Sequence, residues 1–183
     1  MSATQDLKED HIIVRRLGSI AQKCSNKLSA NEPIPLEDIK IISVIIEEFV
    51  DSFHHGKEEK VYFPETEDRD NFAEDIRKFL IEHELGRRIA RMLSRHLDSW
   101  QKGTDSREPV ARFLKSYAVF ITDHTGKEDK FFDLVEENGI LSNEENAMLI
   151  QHYESCHKQI GGKIRIEQMI KLIDYLENRD WMK

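Results

Sequence analysis

Apolar residues recur at three- and four-residue spacing in four long stretches of the chain, the pattern of amphipathic helices. In the first stretch Val14, Leu17, Ala21, Cys24 and Leu28 share one helix face, and Asn31-Glu32-Pro33-Ile34-Pro35 closes it. Proline stops a helix because it lacks a backbone donor and clashes with the preceding turn. The second stretch carries Ile42, Ile46, Phe49, Val50 and Phe53 and ends near Phe63-Pro64, with a polar connection from Glu65 to Asn71. The third places Ile76, Phe79, Leu80, Ala90, Leu93 and Leu97 on one face and runs to about Trp100. A Gly-containing loop, Gln101 to Ser106, leads to the fourth, marked by Phe113, Leu114, Tyr117, Phe120, Ile121, Phe131 and Phe132. It closes at Glu137-Asn138-Gly139, where Gly suits a left-handed C-cap.

Two shorter elements follow. Ser142-Asn143-Glu144-Glu145 has the form of an N-cap with acidic residues in the first turn. The helix it opens carries Met148, Leu149, His152 and Tyr153, is broken by Gly161-Gly162, and is succeeded by an amphipathic helix from Ile164 to Leu176. Long helices joined by short loops pack as antiparallel neighbours. The expected architecture is therefore all-α and single-domain over residues 1–183. It consists of an antiparallel up-down four-helix bundle (about 5–138) with two shorter C-terminal helices (about 142–178) packed outside.

Composition narrows the functional classes. The formal charge is −8, and no basic stripe exists to neutralise phosphates, so no nucleic-acid partner is expected. No apolar run approaches the roughly 18 residues of a membrane helix, and the first residues do not read as a signal peptide. Two cysteines, Cys24 and Cys156, make neither a CxxC nor a disulfide framework and read as small buried hydrophobes. A reducing, cytoplasmic location follows as the expectation.

The candidate chemistry lies in a repeat. His54-His55-Gly56-Lys57-Glu58-Glu59-Lys60 aligns with His124-Thr125-Gly126-Lys127-Glu128-Asp129-Lys130, identical at five of seven positions with an offset of 70. His11 precedes His54 by 43 residues, and His83 precedes His124 by 41. Each half thus offers a helix with one inward His, then a helix with His-x-x-x-Glu. Residues i and i+4 share a helix face, so His54 points with Glu58 and His124 with Glu128, in both cases along the apolar stripe. A single His on such a face is usually a core histidine, and one His-x-x-x-Glu pair often supports a solvated surface. A solvated face gives no reason for the stretch to recur in register.

Two carboxylates and four imidazoles converging in a dry interior need strong positive charge. Two divalent or trivalent ions, with terminal ligands His11, His54, His83 and His124 and bridging Glu58 and Glu128, would supply it, and imidazole with carboxylate suits iron. His55 and Glu59 are placed beside the site, because their counterparts are Thr125 and Asp129. His96, His152 and His157 match nothing and are read as structural or surface residues. Lys57 and Lys127 are read as solvated.

These residues resemble the hemerythrin-like domain, the HHE cation-binding family. The likeness rests on His11 in Glu9-Asp10-His11, on His54 to Pro64, on His83 in Glu82-His83-Glu84-Leu85-Gly86-Arg87, and on His124 to Phe132. It implies a bundle holding two iron ions bridged by carboxylates and an oxo or hydroxo group, with zinc or manganese as alternative occupants. The chain departs from the family's marine-invertebrate oxygen carriers at two places. Arg87 stands where their third helix has a second His, and His124-x-x-x-Glu128 replaces their His-x-x-x-x-Asp.

Fewer protein ligands leave positions that water, peroxide, nitric oxide or dioxygen can reach, which favours reaction over clean reversible storage. Tyr62 and Tyr117 are close enough along their helices to approach such a position, with core packing as the other reading. The expected function is a di-iron protein that binds or reacts with dioxygen or a related small oxidant, in sensing, detoxification or iron handling. The alternative is a non-catalytic, metal-stapled helical module that docks a protein, and a protein partner or homodimer stays open. The paired Glu-x-x-His motifs and additional carboxylates of ferritin-like oxidases are absent.

Overall fold

The computed structural model describes residues 1–183, which form helices and turns with no strand. Helix α1 (Ala3–Ser29) starts at Ser2, whose hydroxyl accepts the amide of Gln5 at 3.0 Å. Helix α2 spans residues 36–66 without a break in its axis but not in one helical form. It begins as α-helix (Leu36–Ile45), widens into a π-helix (Ile46–His54), tightens over His55–Lys57, widens again (Glu58–Tyr62) and ends in the turn Phe63–Thr66. Pro64 lies at the start of that turn, where its missing donor is tolerated.

Helices α3 (Ala73–Gln101) and α4 (Arg107–Glu137) are long and regular. Gly139, at φ +59°, takes the left-handed conformation expected after α4. Helix α5 (Asn143–Gln159) opens on a full capping box: Ser142 Oγ accepts the Glu145 amide at 3.2 Å while Glu145 accepts the Ser142 amide at 2.7 Å. Helix α6 (Gly162–Glu177) and a short 3₁₀ turn (Asp180–Met182) complete the chain.

Contacts link α1 to α2 and α4, and α3 to α2 and α4; α5 and α6 lie against α1 and α2. Two glycines lie where helices pack closely. A Cβ on Gly86 of α3 would sit 2.5 Å from Phe120 Cε1 of α4, and one on Gly18 of α1 would sit 3.0 Å from Ile121 Cγ2. One continuous apolar core runs from Ala3 to Trp181 and takes in both cysteines as free, buried thiols.

One sequence expectation fails at the periphery. Leu80 is exposed, because the core-facing stripe of α3 passes through Ile76, Phe79, His83 and Gly86. Met148 and His152 are exposed as well, and α5 is seated by Leu149, Tyr153 and Cys156. No helix is long and apolar enough to cross a membrane.

Candidate metal centre

Seven chemically active side chains meet in the interior, one from α1, three from α2, one from α3 and two from α4. His11, His54, His55, Glu58, His83, His124 and Glu128 are all essentially without solvent exposure. In a straight α-helix neighbouring residues point about 100° apart. The wider π turn before His54 reduces that angle, and both His54 and His55 face inward. π-segments of this kind recur at functional sites.

The two glutamates stand between the imidazoles. Glu58 Oε1 lies 3.3 Å from His54 Nε2 and 3.8 Å from His11 Nε2, while Glu58 Oε2 lies 3.4 Å from His83 Nε2. Glu128 Oε2 lies 3.3 Å from His11 Nε2, while Glu128 Oε1 lies 3.2 Å from both His83 Nε2 and His124 Nε2. Each carboxylate therefore sends one oxygen toward the His11 half and one toward the His83 half. The same side chains fall into two groups with mutually close donor atoms: His11, His54, Glu58, Glu128, and His55, His83, His124.

Around this ring stands a second, and it repeats as the ligands do. The residue before each first-helix His accepts from the second-helix His: Asp10 from His54 Nδ1 at 3.2 Å, Glu82 from His124 Nδ1 at 2.8 Å. The residue after each glutamate accepts from the opposite half: Glu59 from His83 Nδ1 at 2.8 Å, Asp129 from His11 Nδ1 at 2.7 Å. Each of these carboxylates is gripped by a cation. Lys57 holds Asp10 at 2.5 Å and Lys127 holds Glu82 at 2.8 Å. Arg87 holds Glu59 at 2.5 Å, and Arg15 holds Asp129. Arg15 and Arg87 each lie four residues beyond the His they help to orient.

The outer carboxylates are accordingly ionised. Burial opposes the charge on Asp10, Glu59 and Asp129, but Lys57 at the first, His83 and Arg87 at the second, and His11 and Arg15 at the third outweigh it and lower all three. The Glu82 carboxyl, hydrogen-bonded to His124, lies at about 2. Such partners fix the proton on Nδ1 and turn the Nε2 lone pair inward, as in metal-ligating histidines.

At the centre the balance differs. Burial, then the charge of Glu128, pushes the Glu58 carboxyl well up, whereas His124, His11 and His83 hold equally buried Glu128 well down despite its burial. Burial takes the His54 imidazole down to about 4. Both Glu58 oxygens, Glu128 Oε2 and the Nε2 atoms of His11, His54 and His124 have no hydrogen-bond partner. Buried polar atoms without partners are costly. Here they converge on one place with the donor types that iron, manganese and zinc accept, so the residues present fit a pair of metal ions.

All six residues expected from sequence are thus brought together. Two expectations about their neighbours are corrected, for Lys57 and for His55. Lys57 is buried rather than solvated, paired with Asp6 and Asp10 and lying over the rings of Phe53 and of Tyr153 from α5; Lys127 is half-exposed, as expected, and ion-paired. His55 belongs inside the ring rather than beside it. The tyrosines diverge: the Tyr62 hydroxyl pairs with Thr4 Oγ1 at 2.8 Å, while the buried Tyr117 hydroxyl has no partner. His96, His152 and His157 stay outside the cluster, as expected.

The family whose description is Hemerythrin HHE cation binding domain matches residues 2–135. Similar chains include an uncharacterized protein of Mycobacterium bovis and two of Mycobacterium tuberculosis strains. Each is 22% identical over 130 residues, which is 70% of this chain and 51% of the relative. The chain spans about half the length of these curated relatives. No solved structure matches it.

Proposed function

The chain belongs to the hemerythrin HHE cation-binding domain family, and on that premise we propose that it is a cytoplasmic di-iron protein that binds or reacts with dioxygen or a related small oxidant. In this reading α1 to α4 are the four members of an up-down antiparallel bundle. His11 and His54 would hold one ion, His83 and His124 the other, with Glu58 and Glu128 shared between them. One observation carries the proposal: two fully buried carboxylates, each dividing its oxygens between two sets of inward-facing imidazoles, with buried atoms left unpartnered.

Iron at this place supplies electron exchange with a small oxidant at a dry, carboxylate-bridged pair. The side chains do the rest. Asp10, Glu59, Glu82 and Asp129 hold each imidazole by Nδ1, so that little reorganisation accompanies binding. Phe132 stacks on His11 at 5.6 Å and Phe120 on His124 at 5.2 Å, which covers one face of each imidazole with an apolar ring.

The test is metal analysis and absorption spectroscopy of the protein purified without air and then exposed to it. Iron near two ions per chain, with a spectrum that changes on exposure, is expected. Glu58→Ala and Glu128→Ala should each lose metal and melt at lower temperature. Full metal occupancy and an unchanged spectrum in both variants would remove the ligand assignment. Bound zinc, inert to dioxygen and peroxide, would replace the oxidant chemistry with a metal-stapled module.

A further inference from the structure

The outer ring repeats between the two halves of the chain, but the inner ring does not. His55 occupies the position that Thr125 takes in the second half, and Asp51, four residues earlier, occupies that of Ile121. Thr125 is fully satisfied there, its hydroxyl donating to the Ile121 carbonyl at 2.8 Å. His55 is not. It is buried to 1% exposure and neither ring nitrogen has a hydrogen-bond partner. An imidazole so placed has given up its hydrogen bonds to water without replacement, which is unfavourable. Apolar packing at this point would be served better by leucine or phenylalanine.

Geometry supplies the reason to keep it. The His55 ring lies flat against His83, with centroids 3.8 Å apart and planes 14° from parallel, and edge-on to His124 at 5.7 Å. Donor nitrogens of His55, His83 and His124 lie within 4.8 Å of one another. On its far side, His55 Nδ1 stands 3.3 Å from Asp51 Oδ1, close but not aligned for a hydrogen bond. His11, His54 and His124 likewise have a carboxylate beside Nδ1 and an unpartnered Nε2, which leaves His55 equipped as they are. The π-helix of residues 46–54 is what turns it inward beside His54.

We propose that His55 is a metal ligand for one of the two ions: with His83 and His124 it presents three imidazoles to that ion, while His11 and His54 present two to the other. The inference rests on the metal-centre reading given above. It makes the two positions inequivalent in nitrogen donors, three against two.

The full-length protein, stripped of metal, is titrated anaerobically with cobalt(II), followed by calorimetry and visible absorption. Wild type is expected to take up two ions with distinguishable spectra. His55→Phe keeps an aromatic ring against His83 but has no lone pair. It should retain one ion at wild-type affinity and bind the second about tenfold more weakly or worse. His55→Gly should behave likewise and recover the second ion when free imidazole is added, an effect that a packing role would not produce. Two ions of unchanged affinity and spectrum in His55→Phe would overturn the assignment and leave His55 a core residue. A wild-type protein that binds no second ion would instead overturn the paired-metal reading beneath it.

Discussion

Lys57 and Lys127 hold equivalent places in the repeat and perform the same task, each gripping a carboxylate that orients a histidine, yet they differ in depth. The Lys57 side chain is 2% exposed, with Nζ 2.5 Å from both Asp6 and Asp10 and lying over the rings of Phe53 and Tyr153. That of Lys127 is 48% exposed. Removing one member of a buried ion pair strands the other, at a cost of about 3–5 kcal/mol. At an exposed pair the loss is about 0–1 kcal/mol. Lys57→Met should therefore destabilise the metal-free protein severely and Lys127→Met hardly at all, as read by urea unfolding at neutral pH. Equal losses would contradict the depth argument. At this scale the sequence revealed the six inner residues, because spacing alone aims them along one face. The outer ring left a fainter signal: Asp10 and Glu82 precede the first-helix histidines, and Arg15 and Arg87 follow them by four residues. A charged residue reads as solvated until the structure shows what it touches, which is why Lys57 was misplaced.

Between elements, the crossing of α3 and α4 leaves no room for a side chain at Gly86. A methyl there would meet the Phe120 ring at 2.5 Å, and that ring stacks on His124 with planes 15° apart. Gly86→Ala gains up to about 1 kcal/mol of helix propensity but forces the ring aside. Overpacking of this kind costs about 1–3 kcal/mol, so net destabilisation and weakened metal binding are expected together. Gly126 is the control, since nothing lies within 4 Å of its added Cβ. Gly126→Ala should raise the melting temperature slightly and leave metal content alone. Thermal melts with metal analysis of both variants check this, and a Gly86→Ala protein more stable than wild type would refute it. Helix number and limits were legible in the apolar periodicity, and Gly139 and Ser142 in their capping chemistry. The π-segments of α2 were not. Three- and four-residue spacing fits both helical forms over one turn, so the insertion that brings His55 inward is invisible until the backbone is traced.

For the whole molecule, the decisive feature is that a charged centre lies within a single apolar core that also carries α5, α6 and the final turn. Asp38 at the start of α2 is 2% exposed and receives Arg179 Nε and Trp181 Nε1, each at 2.8 Å, which ties the last residues to the helix that supplies three of the seven inner side chains. Without cations, Glu58 is pushed toward its protonated form by burial and by Glu128, and its oxygens stay unsatisfied. Ions that bind the folded chain alone stabilise it by mass action, about 2.7 kcal/mol per site at a free concentration one hundred times the dissociation constant. For a chain of this length that corresponds to roughly 5–10 °C in melting temperature. Chelation should thus lower the transition and metal addition restore it in a concentration-dependent way. Because Trp181 is anchored on α2, its fluorescence should report the same midpoint as far-ultraviolet dichroism of the helices in both states. A midpoint indifferent to metal would mean that the buried carboxylates are satisfied by protons alone, and two separated midpoints would mean that the C-terminal helices fold on their own.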